Sequence, residues 1–165
     1  MFNANNRRQI AKLLTVLCLC TTANGFAATS TGTLSVSSTV LSACSVTGAS
    51  MAFGSYTATQ IDNSAAISIT CTNGTAYNIG MDAGGGSGAS TAVRKMTGSV
   101  SGTLNYSLYK DSGRSVVWGN TVGTDTLLGT GTGAAQSVSV YGRVPSGQIA
   151  DAGVYSDSVT ITLTY

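Results

Sequence analysis

Residues Thr33–Leu41 read TLSVSSTVL. Leu34, Val36, Ser38 and Val40 fall on one side at period two, and Thr33, Ser35, Ser37 and Thr39 fall on the other. This alternation predicts a β-strand with one face meant for burial. A second stretch, Asp157–Tyr165 (DSVTITLTY), has the same pattern, with Val159, Ile161, Leu163 and Tyr165 on one face. It is read as the end of a last strand, Val154–Tyr165, with no strand expected beyond it. The reading of Thr33–Leu41 then decides the fold: either it completes its own sandwich or it completes another copy's.

The chain between these two stretches points the same way. Gly, Ser and Thr are abundant, Pro occurs once, and Glu and His do not occur. Short alternating runs rich in β-branched residues dominate, which is an all-β composition with many turns. In Ser64–Thr72 the apolar set is Ala65, Ile67, Ile69 and Cys71, which carries the cysteine inward. Asn73-Gly74 is a hairpin-type turn signal. Ala76–Met81 follows, with Tyr77, Ile79 and Met81 on one face, and Asp82–Ser90 reads as a flexible glycine-rich loop. Further strands are expected at Ala92–Met96, Leu104–Tyr109, Val116–Trp118 and Gln136–Val144, the last alternating through Val138, Val140 and Val144. Thr121–Ala135 reads as loop, and Pro145–Gly153 as a turn region. Seven or eight short strands at this spacing imply an immunoglobulin-like Greek-key β-sandwich.

Met1–Ala27 reads as a secretory signal peptide. Arg7, Arg8 and Lys12 supply the charged region, Leu13–Cys20 the apolar region, and Gly25 and Ala27 the small −3 and −1 residues of a cleavage site after Ala27, with Ala23 the second choice. The apolar region is too short to span a bilayer, and no later stretch is apolar enough for membrane insertion. Leu41-Ser42-Ala43-Cys44 matches a lipobox by eye, but the residues before it form a Ser/Thr-rich alternating strand rather than an apolar run. Removing the leader leaves five cations, Arg94, Lys95, Lys110, Arg114 and Arg143, against six Asp, a net charge of −1. The basicity of the whole chain therefore belongs to its leader, and nothing favours nucleic acid or an anionic membrane surface. Four cysteines become two once Cys18 and Cys20 leave. Cys44 and Cys71, an even pair in an exported protein, are expected to form one disulfide. Two cysteines without His make a poor metal site.

No catalytic constellation stands out. The absence of His excludes every His-based triad, metal site and general base. Asp62, Asp82, Asp111, Asp125, Asp151 and Asp157 each sit in a turn or at a strand start, where Asp bonds backbone; a paired-carboxylate glycosidase is the enzymatic alternative. Gly84–Gly88 lacks the Gly-Lys-Ser/Thr ending of a phosphate-binding loop. Trp118 and the tyrosines could form a sugar-stacking platform, but Tyr77, Tyr106 and Tyr165 alternate with core-facing residues. Arg94-Lys95 reads as a charged strand edge that aids solubility. No catalytic residue, metal or cofactor is expected.

The order of several short motifs resembles one family. These are Cys44 after an alternating strand, Phe53-Gly54-Ser55-Tyr56, Ile69-Thr70-Cys71-Thr72-Asn73-Gly74 with Tyr77, and Arg94-Lys95-Met96. Leu104–Tyr109 with Asp111, Trp118-Gly119, Tyr141-Gly142-Arg143-Val144-Pro145, Gly153-Val154-Tyr155 and Val159–Tyr165 complete the series. Together they look like the spore coat protein U (SCPU) domain, which forms subunits of archaic, Csu-type chaperone–usher pili. The resemblance implies an incomplete immunoglobulin-like sandwich lacking its last strand (residues 42–165), preceded by an N-terminal donor strand (residues 28–41). It also implies a periplasmic chaperone that fills the gap first, and an outer-membrane usher at which the donor strand of a neighbouring pilus subunit replaces it. The implied route is export to the periplasm and then to a cell-surface pilus serving adhesion and biofilm formation. The donor residues would be Leu34, Val36, Ser38 and Val40, with Ser38 standing where a bulkier apolar residue is usual. The acceptor residues would be Val159, Ile161, Leu163 and Tyr165. A single domain carrying a donor fits a shaft or adaptor subunit better than a tip adhesin. The alternatives are a secreted glycan-binding sandwich and a surface-coat protein that never joins a pilus.

Overall fold

A computed structural model describes residues 25–165 of the chain. Arg7, Arg8, Lys12 and Leu13–Cys20, on which the leader reading rests, lie outside the described residues. The chain divides between Ser38 and Thr39, and each part is described by itself. In residues 25–38 no strand forms, and Leu34 and Val36 are 88% and 84% exposed. The expected strand at Thr33–Leu41 thus has no ladder partner among the described residues. Its alternation sets which face is apolar, but a strand also needs another backbone to pair with.

Residues 39–165 hold nine strands among the described residues: β1 Cys44–Thr47, β2 Ile61–Cys71, β3 Ala76–Met81, β4 Arg94–Gly98, β5 Thr103–Tyr109, β6 Leu127–Thr130, β7 Ala135–Val144, β8 Tyr155–Ser156 and β9 Ile161–Thr164. They build two antiparallel sheets, ordered β1-β2-β7-β5-β4-β8 and β6-β3-β9. The longest ladder pairs β2 with β7, from Ile61 opposite Val144 to Thr70 opposite Ala135. Its alternation sends Ile67, Ile69, Val140 and Val144 to the core, where they meet Tyr77, Ile79 and Met81 of β3 and Leu104, Tyr106 and Leu108 of β5. The all-β class and the inward faces of β2, β3, β5 and β7 follow the sequence pattern. Cys44 and Cys71 are opposite one another in the β1–β2 register and form the expected disulfide, so neither sulfur is free to carry a lipid.

Four sequence expectations are corrected. Asn73-Gly74 does not close a hairpin: β2 and β3 belong to different sheets, and the turn, with Gly74 at φ 80° and Thr75 N donating to Thr72 O, carries the chain from one to the other. Thr121–Ala135 is not all loop, because β6 pairs with β3 there. Gly129 hides that strand by lacking a side chain, and the ring of Tyr77 opposite lies against it. Val154–Tyr165 is not one strand but two. β8 joins β4 and β9 joins β3, with Asp157–Thr160 crossing between the sheets. The crossing is held by Asp82, whose Oδ1 accepts from Thr160 N, and by Asp157, whose Oδ1 accepts from Gly85 N and Ser158 N.

The fourth correction concerns Arg94, which is not an exposed edge charge but fully buried. Its guanidinium donates to the carbonyls of Asp82, Thr91, Met81 and Trp118 at 2.7–2.9 Å. The planar fork of five donors suits such a set of converging carbonyls, and lysine's point charge does not. Trp118 is fully buried beside it and donates from Nε1 to Ile79 O. It is therefore a core residue and offers no stacking face to a sugar.

Candidate functional site

Within residues 39–165 the two sheets do not cover each other completely. The three-stranded sheet ends at β9, whose outer edge has no ladder partner among the described residues. Beside it opens a cleft of about 1150 Å³. Its floor is the inner face of the larger sheet, including Ala65, Ile67, Val140 and Leu108. One wall is the strandless segment 49–58, from which Met51, Phe53 and Tyr56 pack against the core. That wall can lie close because Gly142 of β7 has no side chain; a Cβ there would strike Met51 Sδ and the Phe53 ring. The opposite wall is Tyr155, Asp157, Val159 and Ile161, and the loop 148–154 rims one end.

The loop at that end is fixed in place. Tyr56 Oη donates to Pro145 O and accepts from Gln148 N, both at 2.9 Å. The Gln148 side chain bonds both backbone groups of Asn105. Among the polar groups on the cleft wall, Tyr106 and Asp157 form a pair, Tyr106 Oη donating to Asp157 Oδ2 at 2.6 Å. Burial, and then the Asp157 hydrogen bond, raises the Tyr106 phenol far above its ordinary range, so it stays a neutral donor. Burial raises the nearby Asp82 carboxyl, but hydrogen bonds from Thr160 and Gly84 more than offset this and hold its pKa below the ordinary value.

The structure separates the expected site residues. Val159 and Ile161 line the cleft. Leu163 packs against the core opposite Ile79 and does not line it, and Tyr165, past the end of β9, is 59% exposed. Leu34, Val36 and Ser38 lie exposed in residues 25–38; Val40, just beyond, is 81% exposed. The sequence reading missed Met51 and Phe53, whose segment alternates too briefly to read as a strand. It also missed Asp157, although this residue stands in phase with Val159 and Ile161 in the stretch first singled out. The other acidic residues are also engaged within the fold, some locally and some across strands. Asp111 accepts from Ser115 N and Val116 N, Asp125 from Thr121 N, and Asp62 pairs with Arg143 across β2 and β7.

An open apolar cleft beside an unpaired strand edge is a surface shaped for an extended segment. Comparison with known proteins agrees in fold. The chain is 34% identical over 156 residues to "Protein U" of Myxococcus xanthus, covering 84% of this chain and 87% of that protein. It also resembles a solved structure, the CsuC–CsuE chaperone–tip adhesion subunit pre-assembly complex from the archaic chaperone–usher Csu pili of Acinetobacter baumannii. There the TM-score is 0.56 at 22% identity, over 77% of this chain and 40% of that chain. The model of the Spore Coat Protein U domain matches residues 30–162, a span that takes in Thr33–Leu41 and every strand up to the first half of β9. The chain belongs to the Spore Coat Protein U domain family.

Proposed function

We propose that the protein is a structural subunit of a chaperone–usher pilus and polymerises by donor-strand exchange. In this reading Thr33–Leu41 of one copy lies along β9 of the next. The observation that carries it is the pairing of an open apolar cleft at the edge of β9 with a strand-patterned segment whose Leu34, Val36 and Val40 are exposed. Burying each of those side chains in a neighbour contributes about 1.5–3 kcal/mol before ordering costs. Main-chain bonds to the β9 edge add to this. The contact is head-to-tail and heterologous, so it propagates as an open fibre.

Before assembly the same cleft needs cover, since an apolar groove with an unpaired edge invites aggregation. A periplasmic chaperone offering a strand of its own fills that need, and an outer-membrane usher is the place of exchange. Export by the leader, a surface fibre, and adhesion and biofilm formation follow from this reading. A chain that carries a donor segment suits a shaft or adaptor position. A surface-coat protein of the same fold is the second reading, favoured by the match to the Spore Coat Protein U domain.

The test is to express the chain with and without residues 28–40, alone and with a periplasmic chaperone, and to run unheated SDS gels. The pilus reading expects ladders or chaperone dependence for the full chain and loss of ladders on truncation. A full-length monomer that is stable without a chaperone would overturn the pilus reading.

A further inference from the structure

Exposed aliphatic side chains stand at both ends of the sheets. The β2–β7 ladder marks those ends: Ile61 meets Val144 at one and Thr70 meets Ala135 at the other. Beyond Val144, the loops 99–102 and 149–154 are tied together. Ser99 N donates to Val154 O at 2.8 Å, Ser101 Oγ to Asp151 Oδ2 at 2.6 Å, and Tyr155 Oη to Asp151 O at 2.9 Å. The two loops carry Val100, Ile149 and Val154, all exposed. Apart from Asp151, residues 98–102 and 145–156 hold no charged group. Aliphatic side chains held together in water on a braced rim mark a contact surface.

At the other end stands Leu41. Cys44 is bonded to Cys71 there, and Thr72 holds the residues before it, Thr72 Oγ1 donating to Leu41 O at 3.2 Å and Thr72 N to Ala43 O at 2.9 Å. The Leu41 side chain is exposed, and at period two it is out of phase with Leu34, Val36, Ser38 and Val40. A donor face turned into the cleft therefore leaves Leu41 unused.

We infer that these two ends form one contact between successive copies: Leu41 of the copy that gives its donor packs on Ile149 and Val154, with Val100 beside them, of the copy that receives it. This rests on the donor-strand reading above. The cleft continues from Ile161 past Val159 to Val154 and Ile149, and Leu163 does not line it. An extended segment that fills it thus ends at the rim. Every ladder among the described residues is antiparallel. A segment of that sense beside β9 runs from the Thr164 end toward Ile161 and brings its last residue, Leu41, to the rim. Three residues of extended chain span at most about 10–11 Å, so the sheets of the donor copy begin directly beyond, at Cys44. The bonds to Thr72 remove the slack that a linker would give. The rim therefore meets the next body at close range, and its uncharged, aliphatic loops suit that meeting. With the opposite sense, Leu41 would lie by Tyr165 and the rim would stay bare. The contact braces the joint at a second point, so that the donor strand is not a lone hinge.

Cysteine cross-linking between two full chains, assembled with a periplasmic chaperone and read on boiled non-reducing gels, tests the inference. One chain carries Leu41→Cys. The other carries Ile149→Cys, Tyr165→Cys or, as an exposed control on β6, Leu128→Cys. Linkage to Ile149→Cys should exceed linkage to either of the others about tenfold, the ratio that a preference of about 1.4 kcal/mol gives. Excess linkage to Tyr165→Cys, or none above Leu128→Cys, overturns the contact, and ladders on unheated gels then show donor exchange still standing. Absence of both linkage and ladders overturns both readings. A second arm separates packing from mere nearness. Val100→Ser with Ile149→Ser changes two exposed side chains and leaves the core untouched. It should lower the temperature at which ladders come apart in SDS, while thermal unfolding of the chaperone-bound subunit stays the same. Ladders as heat-resistant as those of the natural protein overturn the packing.

Discussion

The side chain of Gln148 completes a β-ladder opposite Asn105. Gln148 Oε1 accepts from Asn105 N at 2.7 Å, and its Nε2 donates to Asn105 O at 2.9 Å. The β5–β7 register runs Tyr109–Tyr141 and Ser107–Arg143, so its next hydrogen-bonding partner for Asn105 is residue 145. That residue is Pro145, which has no N–H to give. The amide of Gln148 supplies the missing donor and acceptor and ties the rim of the cleft to the sheet. Gln148→Ala should lower stability by about 1–3 kcal/mol, the cost of leaving two part-buried backbone groups unpaired. Thermal unfolding measures the loss. Gln148→Glu keeps the acceptor but not the donor and should fall between Ala and the natural residue.

Arg94 should tolerate no replacement. Arg94→Lys keeps the charge but cannot reach all four carbonyls, and should cost about 3–5 kcal/mol, as breaking a buried charged network does. Urea unfolding of the variant, or its failure to accumulate, checks this.

Stability should fall in acid through Asp82. Its folded pKa lies below its ordinary value of 3.8. A depressed carboxyl contributes stability that is present above the unfolded pKa and lost as pH falls through the folded one. The melting temperature should therefore be flat near neutrality and drop below about pH 4. Asp82→Asn should narrow its gap to the natural protein as the pH is lowered across that range. A gap of constant size would show that the charge contributes nothing.

Under the donor-exchange proposal, Leu34→Asp or Val36→Asp should block polymerisation and spare chaperone binding, because in that proposal the chaperone uses the cleft and not the Thr33–Leu41 segment. Losing one buried aliphatic contact of about 1.5–3 kcal/mol weakens the exchange about 10- to 150-fold, before the cost of burying the charge. Unheated gels and chaperone pull-down, run on the same variants, read the two effects separately.

Gly142→Val should displace Met51 and Phe53, whose atoms occupy the space of its Cβ. The segment 49–58 should then become open to limited proteolysis while the disulfide stays formed. A protease-resistant variant would mean that this wall of the cleft does not depend on the glycine.

Much of this was legible in the residues. Period-two alternation gave the inward faces of β2, β3, β5 and β7, because each buries one side against a common core. The pairing of Cys44 with Cys71 followed from export and an even count. What escaped were features set by tertiary partners. Gly129 masks β6 because its opposite neighbour Tyr77 supplies the bulk. Arg94 reads as a surface charge because no local signal announces that four carbonyls will converge on it. The break at Asp157–Thr160 is invisible in an unbroken alternation, since the carboxylates that bend the chain bind residues far away in sequence. Asp157 shows the limit well: its phase was readable, its bond to Tyr106 was not.

The position of the disulfide has a mechanical meaning. Cys44 follows Leu41, the end of the proposed donor segment, by three residues and is bonded to Cys71, the last residue of β2. In a fibre joined by donor strands, tension would enter each subunit just before Cys44. The covalent link passes that pull directly to the end of β2, whose ladder with β7 is the longest in the protein. Force along such a strand acts on many hydrogen bonds in shear rather than unzipping them singly from β1. Reducing the bond should leave the protein folded yet lower the force at which single fibres yield.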